Sequence, residues 1–284
     1  MEKREILKSS SHLKNSIKSI TIGSFDGIHK AHQELIKRAN GVVVIERGTA
    51  TLTPGWKRSL YTKKPTFFYM LDKIKHLSPK EFVDMLQNHF INLEKITVGY
   101  DFTYGSNKQG NIETLKQYFK GQVEVVNEIK LNNISIHSRV IREQIKKNNI
   151  HLANLMLGRE YRVDGQEIKG QGIGAKKLVP TINLKVINYT LPQGVFAIRA
   201  YINNTSFRAI CFIGHRVSTD NNFAIEIHII EEYSKENIKG RVWVEFIDFI
   251  RENKKFNSLN ELKNQILKDI KIAKEILKTP IPLV

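Results

Sequence analysis

The chain lacks the features that would mark a secreted or membrane-bound protein. Its 284 residues include a single cysteine, Cys211, so an internal disulfide bond and a zinc site of clustered thiolates are excluded. No apolar run is long enough to cross a membrane, and the amino-terminal residues MEKRE do not belong to a signal peptide. There is no internal repeat and no low-complexity segment. We therefore expect a globular, cytoplasmic protein without a membrane partner.

Acidic residues are scarce relative to basic ones. The chain has 28 aspartates and glutamates against 45 lysines and arginines, a formal net charge of +17. Such a surplus could neutralise the phosphates of a nucleic acid. The basic residues are, however, spread along the whole chain, and small polyanions are attracted to such a surface as well. We therefore expect no nucleic-acid partner, and a basic nucleic-acid-binding protein is the minor alternative.

The remaining composition is that of folded domains, with 41% hydrophobic and 26% charged residues. The length allows one large domain or two of ordinary size. The pattern of apolar residues changes near residue 157, from strands alternating with helices to a period that is mostly two. We therefore predict a first domain at residues 1–156 and a second at 157–284.

The first half shows buried-strand patterns separated by amphipathic helices. Strands are predicted at residues 20–22, 42–45, 96–100 and 123–126, and helices at 29–40 and 78–90. Residues 48–65 are rich in turn signals, and no strand is predicted there. Alternating strands and helices predict a Rossmann-like parallel sheet, whose ligands bind beyond the carboxyl ends of the strands.

The stretch ITIGSFDGIHKAHQ at residues 20–33 predicts a phosphate site. A strand runs through a glycine turn that begins at Gly23 and enters a helix, so backbone N–H groups and the positive helix end meet at one point. His29 and His32 lie three residues apart and share a helix face. Two imidazoles there could hold a phosphoryl oxygen and a leaving pyrophosphate. A surface histidine pair after an ordinary turn is the alternative that spacing leaves open.

Two further stretches carry candidate ligand contacts. Asp101 could accept a hydrogen bond from a ligand, and Phe102 could pack on a flat ring. A strand end with core aromatic residues explains both equally well. Ser138 is placed to cap a helix, and the guanidinium of Arg142 lies one turn further, where it could hold a triphosphate. A plain helix cap with a solvated arginine is the alternative.

These stretches resemble the bacterial bifunctional riboflavin kinase/FAD synthetase family. Its G-x-F-D-G-V-H-x-G-H-Q motif is similar to residues 23–33, with Ala31 in place of a glycine. Its V-G-x-D-F-x-F-G and S-S-T-x-I-R motifs are similar to residues 98–105 and 137–142. The family's F-x-P-H-P and R-L-T…K stretches are not recognisable, and residues 46–62 stand in their place.

The resemblance implies an α/β nucleotidyltransferase domain that joins FMN to ATP, giving FAD and pyrophosphate. His29 and His32 would stabilise the charge that develops during transfer. The other implied contacts are flavin binding by Asp101 and Phe102, and nucleotide binding by Gly23, Phe25, Asp26, Ser138 and Arg142. Because residues 46–62 depart from the family, a kinase with a degenerate transferase half stays open as an alternative.

The second half is predicted to form an antiparallel β-barrel followed by one helix. Alternating patterns predict strands at residues 181–186, 195–202, 209–213, 223–230 and 242–247, with short turns between most of them. Ser258 and Glu261 have the spacing of a capping box, and they predict the start of the final helix.

A glycine-rich loop precedes these strands, with glycines at Gly170, Gly172 and Gly174. Such a loop lets backbone N–H groups approach phosphates closely, although a flexible hairpin explains it as well. Thr181 and Asn183 share a strand face with Cα atoms about 6–7 Å apart, suitable for an oxygen pair around Mg²⁺. Two ordinary solvent-facing polar residues are the alternative.

Glu226 alternates with the apolar residues Ile225 and Ile227, so its carboxylate faces either water or a site. In a site beside bound ATP it could take the proton of a hydroxyl that attacks the γ-phosphate.

This half resembles the riboflavin kinase domain of the same family. Its motifs P-T-A-N, G-V-Y-A, E-V-H-L and K-F-x-S are similar, in the same order, to residues 180–183, 194–197, 226–229 and 255–258. The resemblance implies ATP-dependent phosphorylation of riboflavin to FMN, with Glu226 as the base and Thr181 and Asn183 serving Mg²⁺-ATP. Riboflavin, FMN and ATP are thus the expected ligands. Leu178 fills a position that the family keeps as glycine.

Overall fold

The computed structural model describes residues 13–169, 179–218, 220–231 and 238–278. The chain divides into two compact units, Met1–Ser138 and Arg139–Val284. The boundary predicted from the sequence lies later, between residues 156 and 157, and it stays a prediction. Among the helices of these described ranges, none is both long enough and apolar enough to span a bilayer.

The first unit is built on a five-stranded parallel sheet with the strand order β3-β2-β1-β4-β5. Its strands are β1 (Ser19–Gly23), β2 (Gly41–Glu46), β3 (Thr66–Met70), β4 (Lys95–Gly99) and β5 (Gln122–Val126). Its helices are α1 (Lys30–Lys37), α2 (Ser59–Thr62), α3 (Leu71–Ile74), α4 (Pro79–His89) and α5 (Ile112–Tyr118), with 3₁₀ turns at Gly55–Arg58 and Ser106–Lys108. A small hairpin of β6 (Lys130–Leu131) and β7 (Ile134–Ser135) follows.

The strand order predicts a ligand crevice between β1 and β4. The chain builds outward from β1 through β2 to β3, then returns to add β4 and β5 on the other side. Crevices at the carboxyl ends of strands open where the order reverses in this way. The central strands are fully buried at Ile20, Val43 and Ile96, so the sheet gives the crevice a rigid floor. The turn after Gly23 lies at this edge.

Helix α1 is shorter than predicted, and several elements of this unit, among them β3 and α5, were not predicted. Helix α1 ends at Lys37 with Arg38 as its C-cap, because Gly41 already pairs with Ile20 in the sheet. Strand β3 was missed. It is an edge strand with exposed positions, so it lacks the continuous apolar run that marked its neighbour.

The capping box predicted at the start of α4 is confirmed. The Ser78 hydroxyl accepts the backbone N–H of Glu81, and the Glu81 carboxylate accepts the N–H of Ser78, which completes the capping box.

The second unit contains a closed antiparallel barrel with the strand order β10-β11-β12-β9-β8-β13. Helix α6 (Ser138–Lys146) begins at the last residue of the first unit and is followed by α7 (Ile150–Leu157). The strands are β8 (Tyr161–Ile168), β9 (Ile182–Val186), β10 (Gly194–Ile202), β11 (Thr205–His215), β12 (Phe223–Ile229) and β13 (Val242–Arg251), and the final helix is α8 (Leu259–Ile276). The predicted barrel and closing helix are confirmed.

Helix α8 packs on the outside of the barrel. Its Ala273, with Leu277 at its C-cap, forms an apolar cluster with Ala197, Ile210 and Ile247 of three strands. Since side chains alternate along a strand, the neighbouring positions on those strands face the barrel interior.

The predicted capping box of α8 forms only in part. Ser258 accepts the N–H of Glu261 at 3.2 Å, but the Glu261 carboxylate accepts the N–H of Asn257 at 3.0 Å.

Two candidate active sites

The first site lies where β1 leads into α1. His29 is the N-cap of that helix, and its Nδ1 accepts the backbone N–H of His32 at 3.4 Å. The two imidazole rings stack with centroids 3.5 Å apart. Because Nδ1 accepts a hydrogen bond, the proton of a neutral His29 ring lies on Nε2, which is then the donor of the ring. The structure therefore brings together the two histidines at the positive end of a helix.

The turn before His29 has a strained backbone. Phe25 and Ile28 have φ angles of 51° and 41°, in the left-handed region that bulky side chains rarely adopt. Both side chains are buried, and the Phe25 ring lies edge-on to His32 with centroids 5.1 Å apart. A Cβ atom on Gly23 would lie 3.3 Å from that ring. Gly23 therefore makes room for a core side chain, and the part of Phe25 that can meet a nucleotide is its backbone.

Asp26 orders a neighbouring loop. Its carboxylate accepts the backbone N–H groups of Thr51, Leu52 and Thr53 at 3.1, 2.9 and 2.9 Å. Its carbonyl oxygen accepts the Ser138 hydroxyl at 2.7 Å. The structure thus joins two residues that were predicted to bind nucleotide, and the Asp26 side chain acts by fixing the turn and the loop.

An arginine that sequence reasoning missed is buried beside the turn. Arg58 donates from Nη1 to the Ser24 carbonyl at 2.6 Å and from Nε to the Gly55 carbonyl at 3.0 Å, and it ion-pairs with Glu46. Burial lowers the pKa of Arg58, and the charge of Asp26 opposes that effect. A guanidinium nevertheless stays protonated. No sequence signal marks it, since an arginine in a polar segment is usually solvated.

The carboxyl end of β4 holds the predicted flavin contacts. Asp101 is exposed, whereas the Phe102 ring is half-buried and stacks on Tyr104 with centroids 5.5 Å apart. The flavin roles of Asp101 and Phe102 stay predictions. Sequence reasoning did not single out the adjacent Tyr100, whose hydroxyl lies 3.4 Å from both Glu128 and the His137 ring.

The second site lies on the outer face of the barrel. Glu226 of β12 and Asn183 of β9 are register partners, so their Cβ atoms are about 5 Å apart on one face. The flanking Ile225 and Ile227 are buried. Burial raises the pKa of Glu226, and Arg216 acts in the opposite direction. The structure therefore gives a carboxylate with an enhanced tendency to take up a proton next to an amide oxygen.

The segment leading into β9 is held against β12. His228 donates from Nδ1 to the Pro180 carbonyl at 2.8 Å, which fixes the backbone just before Thr181. Thr181 is half-buried, and the strand begins one residue after it. Gly170, Gly172 and Gly174 lie outside the described residues, as does Leu178.

Arg142 lies half-buried on α6 in the second unit, and its nucleotide role stays a prediction.

Arg216, which sequence reasoning also missed, bridges two carboxylates. It ion-pairs with Glu226 at 3.2 Å and with Asp220 at 2.9 Å. Asn222 donates to Asp220 from its backbone and side-chain nitrogens. The guanidinium of Arg216, which follows β11, is therefore held next to the Glu226 carboxylate by its second ion pair with Asp220.

The donor atoms of the second site fit Mg²⁺. Within the described ranges no cluster of three or more His, Cys, Asp or Glu side chains is arranged to hold a metal ion. A threonine hydroxyl and an asparagine amide offer the oxygen ligands that Mg²⁺ prefers, with water and substrate phosphates completing its shell. Thr181 and Asn183 therefore suit an ion that enters with a nucleotide.

Comparisons with known proteins agree with this arrangement. Residues 157–277 match a family model described as riboflavin kinase, and residues 66–140 match one described as FAD synthetase. A bifunctional riboflavin kinase/FMN adenylyltransferase from Buchnera aphidicola subsp. Acyrthosiphon pisum (strain APS) is 32% identical over 92% of this chain and 94% of its own. One from Bacillus subtilis (strain 168) is 27% identical over 88% of this chain and 89% of its own.

A solved structure shares the fold over most of the chain. It is described as a macrolide-efflux protein from Streptococcus pneumoniae, and it superposes with a TM-score of 0.81 at 25% identity. The similarity covers 92% of this chain and 96% of that one.

A strand–turn–helix site on a parallel sheet, followed by a closed barrel that pairs a carboxylate with an amide, together with matches to riboflavin kinase and FAD synthetase, defines a two-domain, ATP-using transferase. The chain belongs to the bifunctional riboflavin kinase/FMN adenylyltransferase family. The expected family, fold and double enzymatic activity are thereby confirmed.

Proposed function

We propose that the two sites work in sequence on a flavin. At the barrel, the γ-phosphate of ATP passes to the ribityl hydroxyl of riboflavin, giving FMN and ADP. At the Ser24–Ile28 turn, which we call the phosphate turn, FMN attacks the α-phosphate of a second ATP, giving FAD and pyrophosphate. The observation that carries the kinase step is the pairing of Glu226 with Asn183. The stacked His29–His32 pair supports the adenylyl step.

In the kinase step Glu226 acts as the general base. The riboflavin hydroxyl gives its proton to the carboxylate while its oxygen bonds to the γ-phosphorus, and the bond to ADP breaks. Burial raises the pKa of Glu226, which makes proton acceptance more favourable. Thr181 and Asn183 would hold Mg²⁺, which screens the phosphate charges when bound.

In the adenylyl step no protein atom becomes covalently bound to the substrate. A phosphate oxygen of FMN attacks the α-phosphorus, and pyrophosphate leaves with the electrons of the broken bond. His29 can donate from Nε2 to a phosphate oxygen, and the amino end of α1 favours the negative charge that develops. His32, stacked on His29, supports the same charge. Asp26 and Ser138 hold the turn in place.

The excess of positive charge serves the same chemistry. A net charge of +17 raises the local concentration of polyanionic substrates such as ATP and FMN. We place the enzyme in the cytoplasm, with riboflavin, FMN and ATP as ligands and with neither nucleic acid nor membrane as a partner.

A product assay tests both steps at once. Riboflavin, ATP and Mg²⁺ are added to the purified chain, and flavins are separated by chromatography. FMN followed by FAD is the expected result. FMN alone would support the alternative of a degenerate transferase half. Neither product, together with salt-sensitive binding to random duplex DNA, would favour the nucleic-acid alternative.

A further inference from the structure

The phosphate turn needs an external restraint to keep its conformation. Phe25 and Ile28 both have positive φ angles, a backbone conformation that is costly for side chains of this kind. Such a backbone persists only where neighbouring groups hold it. The turn precedes His29, the N-cap of α1, so any relaxation would move that ring and the backbone N–H groups beside it.

Arg58 supplies a restraint from inside the protein. The residue is 0% exposed, and each of its three guanidinium nitrogens donates to a protein oxygen, so the side chain is engaged within the protein. Its Nη1 donates to the Ser24 carbonyl at 2.6 Å, immediately before Phe25. Its Nε donates to the Gly55 carbonyl. Its remaining nitrogen pairs with Glu46, the last residue of β2. One planar cation thus ties the strained turn to the end of a central strand.

Residues 46–58, which include Glu46 and Arg58, are attached to the turn at a second point. The Asp26 carboxylate accepts three backbone N–H groups, those of residues 51, 52 and 53. Glu46 also accepts the N–H of Gly48 at 2.7 Å. Residues 46–58 therefore form a continuous support beside the turn. This segment is the one in which the family's sequence pattern is not recognisable.

We propose that Arg58, paired with Glu46, is a positioning residue for adenylyl transfer, because it holds the Ser24–Ile28 turn in the conformation that presents phosphate-binding groups. The proposal rests on the proposed function of the first unit, and it assigns a role to residues 46–58 in this chain. Arg58 acts through the turn and never touches substrate.

Arg58→Met is the first variant. It leaves the Ser24 carbonyl without its donor and Glu46 without its cation, so the turn can relax. Displacement of reacting groups by about 1 Å costs roughly 100-fold in rate, and we expect a loss of that order in FAD formation from supplied FMN. Arg58→Lys retains the charge but not the planar fork, so we expect it to recover part of the rate.

Lys64→Met is the matched control for a purely structural effect. Lys64 donates from Nζ to the carbonyls of Ile36 and Ala39. It is a second cation of the same unit that holds backbone oxygens, but at the opposite end of α1. We expect this variant to lower the unfolding temperature like Arg58→Met while keeping FAD formation within about threefold of wild type.

The experiment measures four quantities on each full-length variant. They are the kcat and KM of FMN adenylylation, the riboflavin kinase rate, the unfolding temperature and the hydrogen exchange of amides 24–29. We expect Arg58→Met alone to lose adenylylation and to exchange faster at the turn, with the kinase rate within twofold of wild type. Equal loss of adenylylation in Lys64→Met at equal unfolding temperature would overturn the proposal.

Two other outcomes separate this inference from the proposed function. Wild-type rates of FAD formation in Arg58→Met would overturn the positioning role and leave the enzyme's assignment intact. A wild-type chain that makes FMN but no FAD would overturn the adenylyl role of the turn, and with it this inference. Unchanged amide exchange in Arg58→Met would also overturn the inference.

Discussion

Glu226 and Asn183 are paired across the ladder between β12 and β9, although they are far apart in the chain. The pairing places a carboxylate of raised pKa beside an amide oxygen on the outer face of the barrel. Taken singly, each residue could be an ordinary solvent-facing polar residue of a strand. Their adjacency is the reason that we propose them as the base and a metal ligand of one phosphoryl-transfer site.

Replacing Glu226 with glutamine should abolish the kinase step. The amide cannot take the hydroxyl proton, and loss of a general base costs about 10²- to 10⁴-fold. FMN formation is measured by chromatography, and FAD formation from supplied FMN should stay at the wild-type rate. The matched control is Glu231→Gln, which removes another ion-paired carboxylate, bonded to Arg208. Equal loss of both activities would contradict the assignment of two separate sites.

Replacing His29 with alanine should have the opposite effect. The variant loses the Nε2 donor and the N-cap acceptor of α1, and loss of one stabilising donor costs about 10²- to 10³-fold. The readout is pyrophosphate release with FMN and ATP, while riboflavin phosphorylation is followed in parallel. His151→Ala, on an exposed position of α7, serves as the control. Unaltered FAD synthesis would remove His29 from the mechanism.

The pH dependence of FMN formation should respond to Arg216. Burial raises the pKa of Glu226, and the guanidinium of Arg216 lowers it. Removing that cation in Arg216→Met should raise the pKa further. Because only the ionised carboxylate is a base, the rate is lost as pH falls through this pKa, and the acidic limb of the profile should move to higher pH. Asp220, the other carboxylate bound by Arg216, is left in place.

The control for that shift is Arg208→Met, which breaks the ion pair between Arg208 of β11 and Glu231, two residues beyond the end of β12. Its profile should superpose on that of the wild type. A uniform drop of the Arg216→Met rate at every pH would show that the arginine acts only on structure.

The dependence of FMN formation on Mg²⁺ concentration should show whether Thr181 and Asn183 are ligands of the ion. Alanine at either position removes one oxygen ligand, so the Mg²⁺ concentration for half-maximal FMN formation should rise by about tenfold or more. Chelation of Mg²⁺ should stop both reactions in the wild type. Thr205→Ala, at an exposed position of β11, is the control. The same Mg²⁺ requirement in wild type and Asn183→Ala would exclude that side chain as a ligand.

The periodicity of the sequence was enough to predict most of the elements that frame both sites. The continuous apolar run in β2 and the alternation in β12 each specify one kind of strand. The His29–His32 pair was also predictable, because helical spacing brings residues three apart onto one face. Such features depend on neighbours along the chain.

Features that depend on distant partners could not be predicted. Strand β3 pairs with β2 at an edge, where partial exposure blurs the apolar pattern. Arg58 is buried because it meets a carbonyl 34 residues away, and a charged side chain is buried only when its partners are in place. Spacing placed Glu226 opposite the apolar face but could not say what it faces. Strand register decided that, by setting it beside Asn183. The sequence by itself thus determined the elements and their order, whereas only tertiary pairing decided which polar groups meet.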